Sequence, residues 1–143
     1  MADVTLVIKR TFDATPEEVF KAWIDPKQVA QWYGPEGFTN DIHEMDVREG
    51  GSYRLTMRVP NGDTHPLRGV FKTVQPPTKL VFTWQWQHGE KWGAETLVAV
   101  EFKAVGDKTE MTMTHEGFAD EKEKEMHNQG WSSSFNKLEK LLS

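Results

Sequence analysis

Five histidines, at positions 43, 65, 88, 115 and 127, and the run Ser132-Ser133-Ser134 are the side chains of this 143-residue chain best suited to proton transfer or nucleophilic attack. Imidazole changes charge near neutral pH, and a serine beside it can be activated as a nucleophile. Cysteine is absent, which excludes a thiolate nucleophile, a thiolate metal site and a disulfide framework. The histidines are scattered, with no short Asp or Cys spacing of the kind zinc sites use. No GxxxxGK loop, HExxH helix or nucleophile elbow occurs. Ser134 falls within a predicted helix without visible oxyanion donors, which disfavours a Ser-His nucleophile. The expectation is therefore no catalytic residue, no metal and no cofactor. His115 and His127 remain as a pair pointing toward one interior, as core side chains, as groups that orient a ligand, or as proton carriers.

Both positions depend on the elements that carry them. VTLVIKRTF (4–12) places Leu6, Ile8 and Phe12 on one side, a period-two strand signal. Thr15-Pro16-Glu17-Glu18 then supplies a cap, a first-turn proline and two acids for the positive end of a helix over about 16–24, burying Val19, Phe20 and Trp23. Asp25-Pro26 repeats the device for a second short helix with Val29, Ala30, Trp32 and Tyr33 on its apolar side, stopped at Gly34-Pro35. From residue 38 the pattern is strands separated by turns at Gly50-Gly51, Asn61-Gly62-Asp63, Pro76-Pro77, Gly89 and Gly106-Asp107, an antiparallel meander. Alternation puts Tyr53, Leu55 and Met57 on the buried face, then Leu80, Phe82, Trp84 and Trp86, then Val98, Val100 and Phe102. Met111, Met113 and His115 continue it. Arg68 and Glu95 read either as inward charges at the sheet rim or as a solvated strand face.

Asp120 to Leu142 is predicted as one long helix with the apolar stripe Trp131, Phe135, Leu138 and Leu142. His127 lies within that stripe, Ser134 on its edge and Gly130 on its margin. Glycine inside a helix costs about 1 kcal/mol relative to alanine, so the small residues need a reason. Either they let the helix lie close on the sheet, or they leave a space roofed by His127, Gly130 and Ser134 and walled by aromatics. The second reading selects Trp32, Tyr53, Leu55, Met57, Phe82, Trp84, Trp86, Met113, His115 and Trp131 as further ligand contacts.

One domain over residues 1–143 fits the length. The net charge of −5 is interspersed, which makes nucleic acid and anionic membrane poor partners. No apolar run approaches the roughly 20 residues of a membrane span, and MADVTLVIKR lacks the flanks of a secretory signal, so a cytoplasmic location is the expectation.

RTFDATPEEVFKAWIDPKQVAQWYGPEGF, VREGGSYR, VQPPTKLVFTW, TMTHEGF and GWSSSFNKLEKLL, in this order and spacing, resemble homologues of the activator of the ninety-kilodalton heat-shock protein ATPase, within the START-like superfamily. The resemblance implies an α+β helix-grip fold. Six or seven antiparallel strands would curl around the long C-terminal helix, with the two short helices after strand 1 closing one end. It also implies a hollow between sheet and helix that holds apolar small molecules. The chain is similar to only the C-terminal domain of the eukaryotic activators, which puts ATPase activation in doubt. The expected function is binding of an apolar or aromatic small molecule. The alternatives are a chaperone-interacting module and an enzyme acting on a cyclic hydrophobic substrate.

Overall fold

The computed structural model describes residues 4–142, so residues 1–3 and 143 of the expected domain lie outside the described residues. Strand β1 (Val4–Phe12) leads through helices α1 (Pro16–Ile24) and α2 (Pro26–Trp32) into a run of strands. These are β2 (Thr39–Met45), β3 (Ser52–Arg58), β4 (Thr64–Gln75), β5 (Lys79–His88), β6 (Lys91–Trp92), β7 (Thr96–Val105) and β8 (Lys108–Phe118), followed by helix α3 (Glu121–Leu142). All pairings are antiparallel, in the order β1-β8-β7-β5-β4-β3-β2. The meander thus runs from β2 to β8, and β1 closes the far edge against β8. The extra strand beyond the expected six or seven is β6, two residues that pair only with the end of β5.

The short helices start where their caps dictate. Thr15 Oγ1 accepts from the Glu18 amide at 3.2 Å while Glu18 Oε1 accepts from the Thr15 amide at 3.1 Å, a reciprocal capping box. Asp25 Oδ1 accepts from the Lys27 amide at 3.1 Å, and Pro16 and Pro26 occupy the first turns, where a missing N–H costs nothing. Asp120 does the same for α3, accepting from the Glu123 amide at 2.8 Å.

The inner face of the sheet, the two short helices and one stripe of α3 bury a continuous core. From α3 it takes Trp131, Phe135 and Leu138. From the short helices it takes Trp23 and Trp32, whose rings meet edge to face at 4.7 Å, with Trp32 Nε1 donating to the Ala22 carbonyl at 2.9 Å. An edge-to-face pair sets the positive rim of one ring against the negative face of the other, which adds to the area that both bury.

Candidate functional site

At one end of the sheet the core stops short of α3. The C-terminal ends of β3 and β5 and the N-terminal end of β7 converge there with the first half of α3. A cavity of about 640 Å³ lies between them. Met57, Trp84 and Trp86 come from the strands, and His127, Gly130, Trp131 and Ser134 from the helix. The loop after α2 contributes Gly34, Pro35 and Phe38. Exposed side chains form the mouth: Asp120, Lys122 and Met126 on the helix side, His65 and His88 on the sheet side.

Of the ligand contacts expected from sequence, Met57, Trp84, Trp86, His127, Gly130, Trp131 and Ser134 meet at this cavity. Trp32, Tyr53, Leu55, Phe82 and Met113 do not line it; they are buried in the core nearer the short helices and the middle of the sheet. Tyr53 is occupied there, its hydroxyl donating to the Thr83 carbonyl at 2.5 Å, and burial raises its pKa. His115 sits behind the wall, fully buried. Arg68 and Glu95 are exposed. Arg68 donates to Gln85 at 2.9 Å and stacks over the Trp92 ring at 3.9 Å, so it pins the β6 turn to the sheet and does not point inward.

The hydrogen bonds determine both histidine tautomers. An indole N–H can only donate and a carbonyl can only accept. Trp86 Nε1 donates to His127 Nε2 at 3.1 Å, so the proton of His127 is on Nδ1, which donates to the Glu123 carbonyl at 2.9 Å. Trp131 Nε1 donates to His115 Nδ1 at 3.0 Å, so His115 carries its proton on Nε2 and donates to Thr96 Oγ1 at 2.7 Å. Thr96 passes the direction on, donating to the Trp84 carbonyl at 2.9 Å. Every ring nitrogen is therefore committed within the protein. Burial lowers the His115 pKa to about 2, with the His127 ring, 5.2 Å away, as the second cause. Burial also lowers that of His127, opposed by the carbonyl and charge of Glu123. Both rings are neutral at physiological pH.

Each serine of the run has a separate partner. The Ser132 carbonyl accepts from Arg10 of β1 at 3.3 Å. Ser133 Oγ accepts from the Glu36 amide at 2.9 Å, and Ser134 Oγ donates to the Gly130 carbonyl at 2.8 Å. Lys137 completes the attachment of the cavity loop. Its ammonium reaches the carbonyls of Tyr33, Pro35 and Phe38 at 3.4, 3.2 and 3.3 Å. Half-burial lowers its pKa, with Glu36 acting in the other direction. Sequence reasoning missed Lys137, Thr96 and the anchoring role of Ser133, because their partners lie far away in the chain and only tertiary contact reveals them.

A family model described as activator of Hsp90 ATPase homolog 1-like protein matches residues 13–143. The chain belongs to this family. Its helix-grip architecture is consistent with the START-like superfamily. Among solved structures, a protein from Chromobacterium violaceum is 25% identical with a TM-score of 0.90, each chain covered to 96%. An AHSA1 protein from Silicibacter pomeroyi is 28% identical with a TM-score of 0.87 and 97% coverage of each chain. A protein from Rhizobium leguminosarum is 26% identical with a TM-score of 0.80, covering 98% of this chain and 94% of its own. No curated protein matches. Among the described residues, no helix is long and apolar enough to cross a membrane, and no cluster of three or more His, Asp or Glu side chains is placed to hold a metal ion.

Proposed function

We propose that this family member is a cytoplasmic small-molecule binding protein that holds an apolar or aromatic ligand between the sheet and α3. The observation that carries this reading is the cavity of about 640 Å³ walled by Trp84, Trp86 and Trp131. That size is within the range of small-molecule sites, roughly 300–1,000 Å³, and burial of apolar ligand surface at about 25 cal/mol per Å² supplies affinity. The histidines favour binding over chemistry. A proton carrier needs a ring nitrogen within reach of the substrate, and the four nitrogens of His115 and His127 are already paired inside the protein.

The test is native mass spectrometry of protein purified without organic solvent, with release and identification of any adduct. A stoichiometric apolar adduct supports the reading. A clean apo mass, together with tryptophan fluorescence unmoved by sterols, fatty acids and aromatic polyketides, rejects it. The family description favours a second reading, a chaperone as protein partner. A pull-down with the middle domain of the ninety-kilodalton chaperone that recovers nothing rejects that one.

A further inference from the structure

Of the eleven glycines in the chain, seven have positive φ, a conformation that side chains disfavour. Three more, Gly51, Gly69 and Gly93, would bring a Cβ within 3.0 Å of a neighbouring atom. Gly130 is in neither group. It sits in regular helix, and a Cβ built on it meets nothing within 4 Å. Close packing of α3 on the sheet therefore does not account for this glycine, although a helix interior disfavours it. What lies beside it is the cavity, whose wall continues through Trp131, the next residue, and Ser134, one turn on.

Most polar groups around Gly130 are already spent, and the unpaired indole N–H of the wall, Trp84 Nε1, is buried out of reach of the cavity. Trp86 and Trp131 give their N–H groups to histidines, and the Ser134 hydroxyl proton goes back to the Gly130 carbonyl itself. The inner wall thus offers chiefly ring faces, the Met57 thioether and helix backbone, whereas of the charged groups in the lining Lys122 and Asp120 stand at the exposed mouth and Glu123 is half-buried on the first turn of α3. A wall of this kind recognises shape and π-surface; an ion buried against it would go unpaired.

We propose that Gly130 is the residue that sets the depth of the cavity, and that the space it leaves is for the neutral ring system of an aromatic ligand, lying against the helix backbone between Trp86 and Trp131. The inference rests on the binding reading above and adds a size determinant and a ligand class to it. It makes Gly130 a position where the chain gives up helix stability for volume.

The experiment uses Gly130→Ala and Gly130→Leu in the full chain, with Tm by calorimetry and affinity for a neutral fused-ring probe, pyrene, and for a straight-chain acid of similar size, palmitate. Affinity is read from tryptophan fluorescence. Gly130→Ala is expected to raise Tm by about 3 °C, since the helix gains and nothing clashes. Gly130→Leu is expected to keep Tm at or above wild type while weakening pyrene at least tenfold, with wild type preferring pyrene to palmitate. A fall in Tm for both variants would overturn the claim of free space, whatever binds. Wild-type pyrene binding that survives Gly130→Leu unchanged would overturn the role of Gly130 and leave the binding reading standing. Preference for palmitate would overturn the ligand class. Failure of wild type to bind either probe, with the Tm gains present, would reject the binding reading and with it the ligand, though not the open space.

Discussion

Trp131 of α3 donates its indole N–H to Nδ1 of His115, at the end of β8, across 3.0 Å, and this buried bond fastens the long helix to the sheet. The same imidazole passes its own proton to Thr96 at the start of β7, and Thr96 passes its proton to the Trp84 carbonyl of β5. One directed chain therefore joins four elements. A buried polar group left without its partner costs about 1–3 kcal/mol, so the chain is valuable because it is complete.

Trp131→Phe keeps an aromatic ring but removes the donor. His115 Nδ1 is then a buried acceptor with no partner, and some ring volume is lost besides. The expected loss is about 2–4 kcal/mol by urea unfolding, seen as a lower midpoint at unchanged m-value. A loss below about 0.5 kcal/mol would show that the bond contributes little.

Stability should depend on pH through the two histidines. In the unfolded chain both titrate near 6.5, whereas folding lowers both, His115 to about 2. Between these values the unfolded state binds more protons. The stabilisation is complete above pH of about 6.5 and is lost as pH falls, at about 1.4 kcal/mol per pH unit for each histidine still neutral in the fold. Urea midpoints should drop between pH 7.5 and pH 5. His127→Gln, whose Oε1 can still accept from Trp86, should make that slope shallower. Equal midpoints at the two pH values would contradict neutral, buried rings.

Lys137 should control the mobility of the cavity loop. Its three donors go to three carbonyls within residues 33–38, and a methionine there retains the stem but none of the bonds. Lys137→Met is expected to speed hydrogen exchange of the Glu36 amide about tenfold or more, while leaving the strand amides of β7 and β8 unchanged. Ser133→Ala removes the acceptor of that same amide and should act in the same direction. Exchange at Glu36 unaffected by either change would mean that the loop is held by its core residues alone.

The sequence made the faces legible but not the heights. Thr15-Pro16-Glu17-Glu18 and Asp25-Pro26 mark helix starts because capping is local, and alternation in 52–57 and 80–86 separates inner from outer residues because pleat parity is local. Parity puts Leu55 and Met57 on one face, and Phe82 with Trp84, without saying where along the strand the core ends and the cavity begins. That depends on register, which pairs Met57 with His65 and Leu67 with Trp86 at the open end. Leu55 and Phe82 consequently fall in the core, one step away from the cavity wall. The commitment of the histidines was hidden for the same reason, since Trp86 and His127 are 41 residues apart. The purpose of Gly130 could be posed from sequence, but only the empty space beside it in the structure speaks against close packing.

Trp84 and Trp86 should separate cavity from core when replaced. Trp84 is only 5% exposed and packs against Trp131 at 4.9 Å and Trp86 at 5.5 Å, so it is as much core as wall. Trp84→Ala is expected to cost about 3–5 kcal/mol of stability, too much for a clean test of binding. Trp84→Phe is milder for a specific reason. Trp84 Nε1 is buried with no hydrogen-bond partner, and removing that donor offsets part of the packing loss, so stability should stay within about 1.5 kcal/mol of wild type. Trp86 is only half-buried, so Trp86→Ala should cost less than Trp84→Ala while removing a whole wall of the cavity. Pyrene affinity at least tenfold weaker in Trp86→Ala, with the fold retained, is the expected result. Affinity within twofold of wild type would place the probe elsewhere on the protein.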